Sequence, residues 1–491
     1  LSSSSAASDV YKRQIMTRAD NDISNQSFGA FLMNILIEKL SSVLDHSTLV
    51  LGADISEKYH ADWSGADPCA PPVLLRPKTT DQLSQIMALC FEQDQPVVIQ
   101  GGLTGLAGGA TPLNGEIAIS LERMQGIESI DPLGMTVTVL AGTPLQVIQE
   151  AADDHELSLP LDLGARGSCQ IGGNVSTNAG GTEVIRYGMT RALVLGLEVV
   201  LADGTVVSAM NKLIKNNSGY DLKHLFIGSE GTLGIVTRVV LQLQPKARST
   251  HTALCAVKDY DSVIKLLVKL KRSLGSGLTG FELMWKSYYD KVLEVSPGLL
   301  SPFERQFPFY LLVEYIDNDR ELGADRFESV LYRQLESGLL EDAMIAKSSQ
   351  DAERFWQIRD GIGELLQVLG PVSNQDVSLP IAEIGVFAID LEHRLKAKYP
   401  DIAILLFGHI GDNNMHVCAY TGRDEDKTKI SHDIMQLIGD YSGAITAEHG
   451  VGVLKRDYLA LSKSSTEIAL MKTLKEAIDP KAILNRGRVF E

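Results

Sequence analysis

The chain has 491 residues, 44% of them hydrophobic and 22% charged, with a formal net charge of −17. That length exceeds one ordinary hydrophobic core, so two or three domains are expected, and the acidic balance excludes a phosphate-backbone partner such as nucleic acid. No apolar run approaches the roughly 20 residues of a membrane-spanning helix, and the five scattered cysteines (Cys69, Cys90, Cys169, Cys255, Cys418) contain no C-x-x-C pair.

That cysteine pattern speaks against a disulfide scaffold and against iron–sulfur or cysteine-zinc sites. It suits a reducing cytoplasm, with peripheral attachment to an inner membrane as a compatible address. Residues 1–15 open on Leu1 and a serine run without periodicity. They resemble a translated adapter, so the natural protein is expected to start at Met16. Phe28, Phe31, Leu32, Ile35, Leu36, Leu40 and Leu44 recur at helical spacing and predict an amphipathic helix inside an N-terminal segment 16–67. The proline-rich stretch Pro68–Pro77 stops any helix. Thr80 then caps a helix through Phe91, and Pro96–Ile99 reads as a short buried strand. Further β-rich runs lie at Ile117–Leu121, Thr136–Leu140, Leu193–Leu201 and Ile235–Leu243, punctuated by glycine as far as Pro245. There a boundary is expected, dividing 68–246 from 247–491. Beyond it the pattern is α+β, with helices at Asp261–Leu274, Asp351–Val368 and Thr466–Ile478, and strands at Tyr310–Tyr315 and Ile402–Phe407.

Three glycine clusters stand between the first-half strands: Gly101–Gly109, Ile171–Gly181 (after Asp162-Leu163-Gly164) and Phe226–Thr237. Glycine-rich turns expose consecutive backbone N–H groups that bind phosphate oxygens without a basic side chain. The first loop fits neither the P-loop nor the dinucleotide-fold spacing. In order and spacing the three clusters resemble the FAD-binding domain of the vanillyl-alcohol-oxidase type. The resemblance implies a two-subdomain FAD-binding domain of the p-cresol-methylhydroxylase (PCMH) type. It implies that Gly101, Gly102, Leu103, Thr104, Gly105 and Leu106 hold the pyrophosphate. Gly172, Gly173, Asn174, Ser176, Thr177, Gly180 and Gly181 would wrap the flavin, Ile235 would contact the adenine side, and Glu230 and Asn485 join the cofactor set. Members that bind flavin covalently often carry histidine where Leu103 stands, so non-covalent FAD is expected.

The second half carries His409-Ile410-Gly411-Asp412-Asn413-Asn414-Met415-His416 and, later, Glu448-His449-Gly450. Two imidazoles and a carboxylate make the ligand set of a catalytic zinc with an open position. The pattern H-x-G-D-x-N-x-H followed by E-H-G resembles the C-terminal substrate (cap) domain of the D-lactate, glycolate and D-2-hydroxyglutarate dehydrogenase group, an α+β FAD-linked-oxidase domain. The resemblance implies that His409, His416 and Glu448 bind a divalent metal, zinc by preference, and that His449 is the base. Phe355–Arg359 resembles the group's W-x-x-R segment, which makes Arg359 the expected carboxylate clamp. The closing Asp479-Pro480 and Asn485-Arg486-Gly487-Arg488 match D-P-x-x-x-x-N-P-G-K, with Arg486 for Pro and Arg488 for Lys. Three positions depart from the diacid members: Asn374 stands for a lysine, Gly363 for a threonine, and Val417-Cys418 where an asparagine is common.

The expected activity is therefore FAD-dependent, metal-assisted oxidation of a D-2-hydroxy acid, D-lactate or D-2-hydroxyglutarate-like, to the 2-keto acid. Electrons would pass to a quinone, a cytochrome or an electron-transfer flavoprotein, and a homodimer is compatible with the chain. The alternatives are a non-redox enzyme like alkylglycerone-phosphate synthase, a sugar oxidase of the same fold, and a flavin-binding subunit of a larger electron-transfer complex. The missing covalent-flavin histidine disfavours the sugar oxidase.

Overall fold

The computed structural model describes residues 32–45 and 47–491. The expected adapter tail, the start at Met16 and the first turns of the N-terminal helix lie outside the described residues. What is described of that helix buries Leu36 and Leu40 completely against the first core.

The first half builds two main sheets, besides a two-stranded pairing of Leu157–Ser158 with Gln244–Pro245. One is four-stranded, in the order Leu49–Leu51, Val73–Leu75, Ile117–Ser120, Val97–Gln100, with its last three strands parallel. The other is five-stranded and antiparallel, in the order Ile127–Asp131, Thr136–Leu140, Ile235–Gln242, Val194–Val200, Val206–Ala209. The outer strands at 127–131 and 206–209 escape the sequence reading because their faces are half-exposed and carry no apolar run. The helix Thr80–Glu92 is capped by Thr79, whose side chain accepts from Gln82 N, one residue before the expected cap. Either threonine satisfies the sequence signal, but only Thr79 has the extended backbone a cap requires.

The second half is one seven-stranded antiparallel sheet in the order Asp342–Ile345, Ser249–Val257, Phe309–Asp317, Leu278–Trp285, Ala403–Gly408, Asn414–Tyr420, Ser373–Ser378. One apolar core includes helices Tyr260–Leu274, Ile384–Lys398 and Asp424–Asp440, and a second includes Lys286–Val295 and Ser349–Arg359. The helix expected over Asp351–Val368 is broken into Ser349–Arg359 and Ile362–Val368. Gly361 sits at the break, where a Cβ would come within 2.6 Å of Val292. The two halves have separate cores, but Ile185 packs against the second, and Ile483 and Leu484 return to the first. There Val97 N donates to Ile483 O at 2.8 Å and Asn485 N to Val97 O at 3.0 Å.

Candidate active site

The three glycine clusters converge on one cavity of about 540 Å³ in the first half. Gly102, Leu103, Thr104, Gly105, Leu106, Gly172, Gly173, Asn174, Ser176, Thr177, Gly180, Glu230, Ile235 and Asn485 all line it. Gly101 lines a neighbouring cavity instead, and Gly181 lies just behind the wall. At Gly102 a Cβ would sit 2.1 Å from Ser168 O, so any side chain would force the loop open. Leu103 follows in a left-handed conformation, φ 59°. The wall is largely apolar, yet Asn174 Oδ1 and Gln170 Oε1 are buried in it without any hydrogen-bond partner. Orphaned acceptors of this kind are costly and call for a ligand carrying N–H or O–H donors. Volume, glycine lining and orphan acceptors together fit FAD. Sequence reasoning missed Asp62, Trp63 and Gln170 as wall residues, since no spacing marks them.

Glu230 and Asn485 line the cavity and also tie the halves together. Glu230 accepts from Val451 N at 2.7 Å and Gly452 N at 2.8 Å, just past the E-H-G turn. Asn485 accepts from Ile99 N at 2.8 Å and donates to Glu230 O at 2.6 Å.

Glu448 and His449 reach the same cavity from the second half. His416 stands mid-strand opposite Asp376 and beside Phe407, while His409 directly follows the strand Ala403–Gly408. One donor atom each from His409, His416 and Glu448 falls within 4.8 Å of the others. Glu448 Oε1 accepts from Gly181 N at 2.9 Å, leaving Oε2 directed 4.0 Å from His409 Nε2. A Cβ on Gly180 would meet Glu448 Oε1 at 2.6 Å, so this approach needs glycine.

Glu282, which sequence reasoning missed, organises the far side. Fully buried, it accepts from His409 Nδ1 at 2.8 Å and from Arg359 Nε at 2.8 Å. Burial raises its pKa, but His409 and Arg359 outweigh that and hold it down to about 2. A carboxylate on Nδ1–H is the arrangement that aims the Nε2 of a histidine at a metal, but here Arg359 Nη2 lies 3.1 Å from Nε2 and would have to give way to an ion. Burial holds His416 well below the ordinary imidazole range, so it is the neutral donor that a metal requires. At His409 burial lowers the pKa, but the Glu282 charge outweighs it and pushes the imidazole up to about 9, so an ion bound there would displace a proton from His409. With that proton gone, His409, His416 and the Glu448 oxygen fit a divalent ion.

A second grouping, Asp376 with Glu448 and His449, is also compact. Asp376 is not free to ligate. Its Oδ2 accepts from Ala447 N, Glu448 N and His449 N at 3.1, 2.9 and 3.0 Å, and its Oδ1 accepts from Asn414 Nδ2 at 2.7 Å. Burial raises its pKa, but the nearby His449 and Lys455 and these N–H bonds hold it well below the carboxylate range. Asp376 is the anchor of the E-H-G turn, a role the sequence could have signalled by an acid on the same strand face as His416's partner position. The lone acid Glu282 inside the apolar strand Leu278–Trp285 was a comparable signal.

Arg359 joins the cluster with its guanidinium committed. It bonds Glu282, lies 3.4 Å from Asp360 Oδ1 and 3.1 Å from His409 Nε2, and packs over the Phe407 ring. One step along the sheet from the Asp376–His416 pair, Asn374 pairs with Cys418, whose Sγ donates to Asn374 Oδ1 at 3.3 Å. A Cβ on Gly363 would meet open space.

Comparison with known proteins matches a model of FAD binding domains over residues 71–209 and one of FAD linked oxidases, C-terminal domain, over residues 246–489. The chain is 40% identical to D-2-hydroxyglutarate dehydrogenase, mitochondrial, of Arabidopsis thaliana over 457 residues, covering 92% of this chain and 81% of that protein. The chain belongs to the FAD-linked oxidase family. This FAD-linked oxidase is also 34% identical to D-2-hydroxyglutarate dehydrogenase of Stutzerimonas stutzeri over 462 residues, 93% of this chain and 98% of that one. Among solved structures it superposes on p-cresol methylhydroxylase with TM-score 0.73, at 17% identity, covering 93% and 96% of the two chains. It superposes on alkyldihydroxyacetonephosphate synthase with TM-score 0.72, at 15% identity over 92% and 85%. These likenesses establish the fold. The FAD-linked oxidase is thus an FAD-dependent oxidoreductase built from a PCMH-type FAD-binding domain and an α+β oxidase domain. Among its described residues no helix is long and apolar enough to cross a membrane.

Proposed function

We propose that the protein oxidises a D-2-hydroxy acid to the corresponding 2-keto acid. The observation that carries this reading is the meeting of His409, His416, Glu448 and His449 at the edge of the FAD cavity. The relatives named D-2-hydroxyglutarate dehydrogenases support the substrate class. When bound, FAD supplies the acceptor for the hydride from C2, and a divalent ion, zinc by preference, supplies positive charge that acidifies the substrate hydroxyl. His409, His416 and Glu448 would hold that ion.

His449 takes the hydroxyl proton. Its Nδ1 lies 3.8 Å from Asp376 Oδ2, which leaves Nε2 as the accepting atom and gives the resulting imidazolium a buried counter-charge. Asp376 also fixes the backbone that carries both His449 and Glu448, so base and ligand are set by one carboxylate. Arg359, held flat by Glu282 and Phe407, offers its remaining N–H groups to the substrate carboxylate. At the positions where diacid members carry a lysine, a threonine and an asparagine, this chain offers Asn374, Gly363 and Cys418, none of them charged. That set favours a short monocarboxylic acid over a diacid, whose second carboxylate would find no cation among them.

The test is anaerobic reduction of the bound flavin by D- and L-2-hydroxy acids, with and without prior chelation. Bleaching by one D-acid, abolished by the chelator and restored by zinc, is the expected result. No bleaching with any hydroxy acid in zinc-restored enzyme would remove the reading. Asn374→Lys is expected to raise kcat/KM for D-2-hydroxyglutarate relative to D-lactate by about tenfold or more. An unchanged ratio would leave the uncharged set without a role in selection.

A further inference from the structure

One surface of the molecule remains without a role. Between the edge strand Val206–Ala209 and the short helix Lys223–Phe226, residues 212–222 are all exposed. Within them Leu213, Ile214, Tyr220 and Leu222 are 61, 75, 96 and 45% exposed. Four large apolar side chains on one convex loop are unusual for a free surface. The loop is also charged against the grain of the protein. Lys212, Lys215 and Lys223 face a single acid, Asp221, in a chain whose net charge is −17. Asp221 pairs with Lys223, while Lys212 reaches only the Ser129 hydroxyl at 3.4 Å. Among the described residues no carboxylate pairs with Lys212 or Lys215.

We propose that the loop 212–222 seats the protein on an anionic lipid surface. Apolar tips flanked by lysines suit an interface where the tips enter the acyl boundary and the ammonium groups stay among the headgroups. The acidic remainder is repelled by the same surface, so the loop alone determines which face turns toward it. A symmetric contact with a second copy would set the lysines of one loop against those of the other. A protein partner would bury Lys212 and Lys215 along with the apolar tips, at the cost of desolvating ammonium groups that have no carboxylate partner among the described residues. The helix Lys223–Phe226 that follows leads directly into the 226–232 glycine cluster, and Arg191 braces this junction by donating to His224 O at 3.0 Å. The lipid-facing loop is therefore joined by a short stretch of chain to Glu230 and Gly231 in the wall of the cavity.

The experiment is flotation of the full, flavin-loaded chain with vesicles of phosphatidylcholine alone or with about one-third phosphatidylglycerol. Binding should require phosphatidylglycerol and weaken with salt. L213S/I214S and K212E/K215E should each lower the bound fraction at least about tenfold, with flavin content unchanged as the control for folding. Absence of binding to the anionic vesicles overturns the proposal, as does binding that neither double variant reduces. A concentration-dependent dimer that L213S/I214S dissolves would assign the loop to a second copy instead.

Discussion

Glu282 acts on the candidate metal site without being one of its ligands. It holds the Nδ1–H of His409 and the guanidinium of Arg359 at once. Glu282→Gln keeps the shape but removes the negative charge that fixes both partners. Metal affinity should fall about 10–100-fold while flavin binding is retained, measured as zinc content against flavin absorbance in the same sample. Equal zinc content in variant and wild type would reduce Glu282 to a packing role. The candidate ligand set is legible in the sequence, because imidazoles and a carboxylate in two glycine-rich turns form a local pattern, and the structure brings His409, His416 and Glu448 together. Glu282 and Asp376 were not assigned, because their roles arise from contacts across strands: Glu282 is 127 positions from His409, and Asp376 is 73 from His449. The committed guanidinium of Arg359 was equally invisible, since W-x-x-R says nothing about a partner on another strand.

At the scale of elements, first-half strands were lost where an edge strand is half-wet, as at Ile127–Asp131, and where a buried strand lies among prolines, as at Val73–Leu75. The break at Gly361 was hidden inside a continuous helical pattern. The most consequential element is the segment 483–489. Asn485 bonds Ile99 N and Glu230 O, and Arg488, 1% exposed, bonds Glu116 Oε2 at 2.8 Å and Thr111 O. Arginine at this position places two donors on one carboxylate, which a lysine does not do in the same plane. Asn485→Ala leaves a backbone N–H and a carbonyl without partners, which should cost about 2–4 kcal/mol. Denaturant unfolding should register that loss, and FAD should dissociate faster. Wild-type stability in the variant would mean that water replaces the side chain.

Across the whole molecule the two halves meet through charge as well as through bonds. Glu183 of the first half sits where burial, and then the charges of Glu314 and Asp162, push its pKa up to about 7. A raised carboxylate pKa contributes stability that is complete below the unfolded value near 4.5 and is lost as pH rises through about 7. Glu183→Gln should therefore lie close to wild type at about pH 5 and have the higher Tm at about pH 8. Melting curves at the two pH values test this, and parallel curves would count against it. The return of residues 483–489 to the first half also governs the order in which the protein can be made. The bond between Ile99 and Asn485 closes 386 positions of sequence. A chain emerging from the ribosome can pair its early strands, but the strand beside the first glycine loop lacks its neighbour until residue 485 has been synthesised. Cofactor capture is thereby deferred until the second half has emerged, so flavin uptake reports both halves rather than the first one alone.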